Sequence, residues 1–456
     1  MARGAVSTAA PPRLVAGLEL LLPFGAAVVA ALTVVSPVLG LGAAGGLVLV
    51  VVAAHDLCLA LALWIPTLFL EALPVFNLAG KAGGLVILGA WVLHTAHSPD
   101  GPRAVLHRHR ATLALLLLLL AWLTLTVLWA PDWLLAAKEM VRWYAVAALF
   151  AVVATSVRDL RTLRWMAGSF SVGGVLSVLV SLQGAGSSPD PGRIEGAAGD
   201  PNFLGAWLLA AGLLTLGLLA QTRRRLLRVG LFATLALLAA GTALTLSRGA
   251  FVAAFGTTLV AVLVLRGRRL PVVLGAALAT AAAAVWLRSS PTALDRLASN
   301  GGGSGRQELW TVAWRMARDH PLRGVGIDNY VVVARSSMRE VGPLTSPYLM
   351  TRPDPDEVHN VYLQLLAEGG PLAVVLLLAF TALCVRSALQ AARRLDLAGQ
   401  RAAASLAYAV LLAQCSLLCA AVFLSSADDK RLWLVLALGP AVSSLGRDRP
   451  LRESGP

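Results

Sequence analysis

The chain has 456 residues, 57% hydrophobic and 14% charged, whereas about a quarter of residues are charged in soluble domains. That balance excludes an ordinary soluble globular domain and points to a polytopic membrane protein. The net charge of +14 would suit a nucleic-acid partner in a soluble protein, so its placement relative to the apolar runs decides its meaning.

A spanning helix needs about 20 apolar residues, with about 17 as the lower end. In chain order the candidate spans are 14–35, 37–54, 57–74, 78–93, 111–129, 141–156, 164–183, 203–220, 228–246, 250–265, 271–287, 361–385, 403–424 and 430–445. Some neighbours are parted only by Ser36–Pro37 or His55–Asp56, so the expected fold is all-α with about 12–14 transmembrane helices. The first run is too long and too soon repeated for a cleaved signal peptide, and it is expected to stay in the mature chain. The expected organisation is an N-terminal bundle over 1–287, an exterior loop over 288–360 containing short helices, and C-terminal spans with a tail over 361–456.

If the spans alternate, loops 94–110, 157–163, 221–227, 266–270 and 386–402 share a side with both termini. That side carries 22 basic and 6 acidic residues, the other 15 and 16. Basic loops favour the cytoplasm, so both termini are expected there and 288–360 outside. Arg223, Arg224 and Arg225 then serve topology, and no nucleic-acid partner is expected. Cys58, Cys384, Cys415 and Cys419 all fall inside candidate spans and read as small buried hydrophobes, since no zinc-ligand spacing surrounds them.

Exterior polarity gathers in four stretches: Gly192 to Asn202, Ser247–Arg248–Gly249, the long loop, and Asp428–Asp429–Lys430–Arg431. Within the long loop Gly301 to Gly305 is a flexible lead, with no Gly-Lys-Ser/Thr of a phosphate-binding loop after it. Ser304 and Gln307 have capping-box spacing, and Leu309, Trp310, Ala313, Trp314 and Ala317 continue at helical intervals. The spacing predicts a helix over 306–319, ending at His320–Pro321. Its tryptophans and arginines suit a position on the membrane surface. Gly324 to Asn329 reads as turn geometry.

His359 stands where the chain re-enters the membrane, able to meet a lipid-borne group and an aqueous one. The carboxylates Asp354, Asp356 and Glu357 before it match no metal-loop spacing and read as a solvated acidic run, so no metal is expected. Arg248 lies in a three-residue turn between apolar runs. An arginine there is costly and marks an anion or a pathway, the plainer alternative being a snorkelling interfacial arginine. Arg193 and Arg306 are the other exterior arginines in distinctive settings.

An exterior site without a nucleotide supply needs a substrate that carries its own activation. A lipid-linked sugar pyrophosphate does, because its leaving group departs as a stabilised anion. Planar guanidinium groups hold phosphates bidentately, and one such contact in a poorly solvated site is worth on the order of 3 kcal/mol. A histidine suits the role of base towards an acceptor hydroxyl, contributing about 10²–10⁴-fold. No cofactor is required.

Four fragments carry a resemblance: Arg193 with Asp200–Pro201–Asn202; Ser247–Arg248–Gly249–Ala250; Gly305–Arg306–Gln307–Glu308–Leu309–Trp310 through His320–Pro321 and Gly324 to Asn329; and His359–Asn360–Val361–Tyr362–Leu363 with Glu368–Gly369–Gly370. In this order and spacing the chain resembles the O-antigen ligase and O-antigen polymerase superfamily over about 190–372. The resemblance implies a multi-pass glycosyltransferase of the bacterial inner membrane with its site at the periplasmic face. Such enzymes pass a glycan from undecaprenyl pyrophosphate to an acceptor hydroxyl, such as that of lipid A-core, with inversion and without a metal. It implies that His359 activates the acceptor and that Arg248 and Arg306 hold the pyrophosphate. Arg193, Asn202, Ser247, Asn329, Asn360 and Tyr362 become candidate substrate-binding residues. The implied partners are the lipid-linked donor, a glycolipid or glycan acceptor, and membrane lipid. A polymerase, extending lipid-linked repeats, shares these motifs; the single large loop leans the reading to a ligase. A solute transporter is the reading from another class, but no internal repeat is apparent, Glu19 and Glu71 are the main charged candidates within spans, and the polar fragments sit at the exterior ends.

Overall fold

The computed structural model describes residues 12–97, 109–183, 193–265, 306–334, 357–425 and 427–445, with a few positions between 267 and 277. Among them the chain is helical without a strand, and it is a multi-pass membrane protein. In order the helices are α1 Pro12–Val35, α2 Pro37–His55, α3 Leu57–Leu68, α4 Pro74–Ala96, α5 Arg110–Thr126, α6 Trp133–Ser156, α7 Leu160–Leu182, α8 Pro201–Gln221, α9 Arg225–Leu244, α10 Arg248–Val264, α11 Arg306–Asp319, α12 Val361–Leu397, α13 Arg401–Ala420 and α14 Lys430–Ser444. Short 3₁₀ turns, Val127–Trp129 and Ala421–Phe423, extend α5 and α13, and a third covers Gly196–Ala198.

Eight of these are long and apolar enough to cross a membrane: α4 to α9, α12 and α13. Parts of α1 and α2, with α3 and α10, are shorter apolar helices. The run expected as one span over 57–74 instead stops at Leu68, two residues after Pro66, and Glu71 falls in the turn before α4. The candidate 271–287, the Gly301–Gly305 lead with Ser304, and Asp354 and Asp356 lie outside the described residues apart from scattered positions up to 277.

Local sequence explains most helix starts. Asp132, Asp200, Ser247, Asn360 and Asp429 each accept a hydrogen bond from a backbone N–H in the first turn of α6, α8, α10, α12 and α14. Side-chain oxygens at these positions satisfy donors that the helix itself cannot. Asp159 and Thr162 form a reciprocal capping box at α7.

Helix α13 runs through the core. It packs closely on α8, where Gly217 lies so near Ala409 that a Cβ there would come within 2.5 Å. Gln414 is fully buried and donates to Val435 O and Leu436 O on α14 at 3.2 and 3.1 Å. Pro440 has no N–H to offer Leu436, four residues earlier, so Gln414 replaces the bond that the proline removes. Trp143, Phe150, Phe380 and Trp433 stack edge-on or tilted beside it. Cys58 and Cys384 are buried as expected, whereas Cys415 and Cys419 are only half-buried.

Helix α12 breaks at Gly370, whose φ is 72°, next to Pro371. The proline cannot bond Ala367 O. Val325 N donates to that carbonyl at 2.9 Å, Gly326 N to Glu368 O at 2.8 Å, and Trp122 Nε1 to Gly369 O at 2.7 Å. The turn after α11 therefore plugs the break and fixes α11 against α12. Gly324 and Gly326 serve close approach as well as turn geometry: their φ values are 67° and 102°, and a Cβ on Gly324 would lie 2.4 Å from Glu368 O.

Candidate functional site

The starts of α8, α10, α12 and α14 meet at one end of the bundle, beside the end of α13 and the helix α11. Ser247 is buried, caps α10 and donates from Oγ to Asn202 Oδ1 at 3.0 Å. Asn202 Oδ1 also accepts from an Arg193 terminal nitrogen at 3.4 Å. Arg193 Nε donates to Thr245 O at 2.8 Å, bracing the turn in which Leu246 takes a φ of 49°. One network thus joins Arg193, Asn202 and Ser247 and sets the backbone from which Arg248 projects, exposed, at the first position of α10.

Arg306, the first residue of α11, faces this network. Burial lowers its pKa from the ordinary arginine value, Asp200 opposes that shift, and Arg193 and Arg248 reinforce it. Arg306 therefore feels two other guanidinium groups, Arg193 and Arg248, and the carboxylate of Asp200. Arg306 Nε is buried and makes no hydrogen bond among the described residues. Helix N-termini add partial positive charge of their own, so the arrangement suits a multiply charged anion.

His359 is half-buried, in the left-handed region at a φ of 53°. Its backbone N–H donates to Ser425 Oγ. The preceding carbonyl, Val358 O, accepts from Trp310 Nε1 of α11 at 3.0 Å. Trp310 in turn lies 6.4 Å, centroid to centroid, from Phe423, against which Gly249 packs. Contacts thus run from His359 through Ser425 and Phe423 to the start of α10, and through Trp310 to the helix that carries Arg306.

The other expected residues make structural bonds. Asn329 is fully buried, donates from Nδ2 to Asp132 O and Ile327 O, and accepts from Asp132 N at 2.7 Å; it ties the turn after α11 to the start of α6. Asn360 Oδ1 caps α12 through Leu363 N at 3.0 Å. Tyr362 donates from its hydroxyl to Leu418 O at 2.8 Å, joining α12 to α13.

Two charged clusters beside the site were not legible as such. In one, Lys430 and Arg431 reach Glu71 at 2.5 and 3.6 Å. Arg431 also pairs Asp429, bonds Leu68 O and lies 3.6 Å from the Trp207 ring, whose Nε1 donates to Asp429. In the other, Arg142 pairs Glu139 at 3.0 Å. Asp328, at the turn after α11, has its pKa raised to about 6 by burial; Arg142 opposes this, and Asp428 and Asp132 add to it. Asp428 is raised by burial and by Asp429 beside it. Clustered exterior polarity pointed to Asp428 to Arg431, but the partners lie hundreds of residues away in sequence.

Residues 233–378 match the family described as O-antigen ligase. That match supports the O-antigen ligase and polymerase superfamily. It spans α10 and α11 and extends into α12, including Ser247, Arg248, Arg306, Asn329, His359, Asn360 and Tyr362, while Arg193 and Asn202 precede it. No curated protein matches the chain. In general terms, likeness to this family points to an enzyme acting on lipid-linked glycans.

Proposed function

We propose that the chain is an O-antigen ligase-like glycosyltransferase, moving a glycan from undecaprenyl pyrophosphate to an acceptor hydroxyl of lipid A-core or a similar glycolipid. The observation that carries the reading is the shared neighbourhood of Arg193, Arg248 and Arg306, with Arg306 Nε buried and unbonded among the described residues, linked through Trp310 and Phe423 to His359. Arg248 and Arg306 hold the pyrophosphate, and Arg193 steadies the turn beneath them. His359 takes the proton of the acceptor hydroxyl as its oxygen attacks the anomeric carbon. The bond from that carbon to the phosphate oxygen breaks, and undecaprenyl pyrophosphate leaves with the electron pair. Attack opposite the leaving group inverts the anomeric centre. The proton passes from the imidazolium to water. The arginines offset charge that grows on the leaving group, a role needing no metal.

In this reading the protein sits in the bacterial inner membrane with both termini cytoplasmic and the site periplasmic, as the positive loops favour. His359→Ala is expected to lower transfer by about 10²-fold or more while leaving donor binding near its original level, measured with purified protein, a lipid-pyrophosphate glycan and an acceptor. Full activity in that variant would remove the base, and loss of transfer on adding a chelator would overturn the metal-free step. Parallel reactions with lipid A-core and with a second lipid-linked repeat separate ligase from polymerase.

A further inference from the structure

A cavity of about 630 Å³ opens at the end of the bundle opposite the candidate site, between the C-terminal ends of α10 and α12 and the start of α13. Helix α12, 37 residues with one break, runs about 50 Å along its path from His359 to the cavity at 1.5 Å per residue, enough to cross a bilayer about 40–45 Å thick with its headgroups. Arg393 and Arg401 line the cavity from two different helices, together with Asp396. Neither guanidinium has a hydrogen bond or ion pair among the described residues, even though a carboxylate shares the lining. Their neighbour Arg394 is used differently: it donates to Ser443 O and Leu445 O at 3.0 and 2.7 Å and so closes the end of α14.

The third wall is apolar. Val264 and Leu265, at the end of α10, line the cavity with Gly267. Along the outer face of α10, Phe255, Leu259 and Leu263 are exposed at four-residue intervals, a row that leads down the helix to that wall. A charged socket at a membrane surface, continuous with an exposed hydrocarbon-facing row, fits a molecule with an anionic head and apolar tails. We propose that this cavity binds the phosphate-bearing headgroup of an anionic membrane lipid between Arg393 and Arg401, with the acyl chains along α10. A free phosphate would use the arginines but gain nothing from the row, which is why the lipid is favoured. Basic pockets between helices at a membrane surface recognise such headgroups. Asp396 sets a limit on affinity, since it repels the phosphate that the arginines attract.

The test uses the full chain purified in detergent, with lipid occupancy counted by native mass spectrometry and thermal unfolding followed in parallel. Phosphatidylglycerol, phosphatidylcholine and inorganic phosphate are the probes. Phosphatidylglycerol is expected to bind at least tenfold more tightly than phosphatidylcholine and to raise the unfolding temperature. The double variant Arg393→Gln/Arg401→Gln is expected to lose about thirtyfold in affinity, one charge contact for each arginine. Asp396→Asn is expected to bind severalfold more tightly, a change of sign that simple loss of folding cannot produce. Arg225→Gln/Arg228→Gln, removing equal charge from the start of α9, serves as the control and should bind like the parent. Equal binding by the parent and the Arg393/Arg401 variant would overturn the site. Inorganic phosphate binding as tightly as phosphatidylglycerol would overturn the lipid assignment and leave a free-anion pocket.

Discussion

At the scale of single residues, the proposed base is held in a backbone conformation that it does not favour. A non-glycine residue in the left-handed region costs about 1 kcal/mol or more, and His359 sits there at a φ of 53°. The bond from its N–H to Ser425 Oγ and the bond from Trp310 to Val358 O hold both polar groups of the peptide unit that precedes it. Ser425→Ala removes the acceptor and lets the backbone relax towards a commoner conformation, carrying the imidazole away from its bearing. Displacements near 1 Å can cost about 10²-fold in rate, so the expected result is a tenfold to hundredfold fall in kcat with KM for the donor nearly unchanged. Ser425→Thr, which keeps the hydroxyl, should restore most of it. A fall in KM-governed binding instead, or no fall at all, would show that Ser425 does not position the histidine. None of this is readable from sequence, because Ser425 is separated from His359 by 66 positions and by the whole of α12 and α13.

At the scale of elements, the sequence announced those features that depend on near neighbours. Asp200–Pro201, Ser247 and Asn360 are helix starts by residue type alone, and α11 covers Arg306–Asp319, the range its spacing predicts. What stayed hidden is how the elements repair one another. The span expected over 361–385 runs through Gly370–Pro371, where α12 breaks and yet continues because Val325 and Gly326 supply donors for Ala367 O and Glu368 O. That repair requires a bare backbone at Gly324. Gly324→Ala combines a left-handed alanine with a Cβ 2.4 Å from Glu368 O, and should destabilise the fold by at least about 2–3 kcal/mol. Gly399 has a similar φ of 73° but open space around it, so Gly399→Ala should cost only about 1 kcal/mol. Chemical denaturation of the two variants measures the difference, which is the part due to packing on the break of α12. Equal costs would mean that the turn does not grip α12 as described.

At the scale of the whole molecule, charge has two uses that composition alone cannot separate. The basic excess of +14 belongs largely to loops at the end away from the site, where Arg223 to Arg225, Arg393 and Arg401 lie, while at the site end a few charges are matched to partners. Glu71 illustrates the second use. Its place in an apolar run made it a candidate intramembrane charge, but the run ends at Leu68 and Glu71 bridges to Lys430 and Arg431. The pairing joins the turn between α3 and α4 to the start of α14, and through Arg431 and Asp429 to Trp207 of α8. It thereby ties the N-terminal helices, outside the matched segment 233–378, to the segment bearing Ser425. Removing one partner of a buried ion pair costs about 3–5 kcal/mol when the other is left uncompensated. Here Asp429 still pairs Arg431, and Lys430 is partly exposed, so Glu71→Gln should cost less, about 2 kcal/mol. Lys430→Met in the same chain should recover part of that loss, because it removes the unmatched charge. A double-mutant cycle on the unfolding free energy measures the coupling. Strict additivity of the two changes would mean that Glu71 and Lys430 do not couple, leaving Arg431, through Glu71 and Leu68 O, as the polar tie between the two parts.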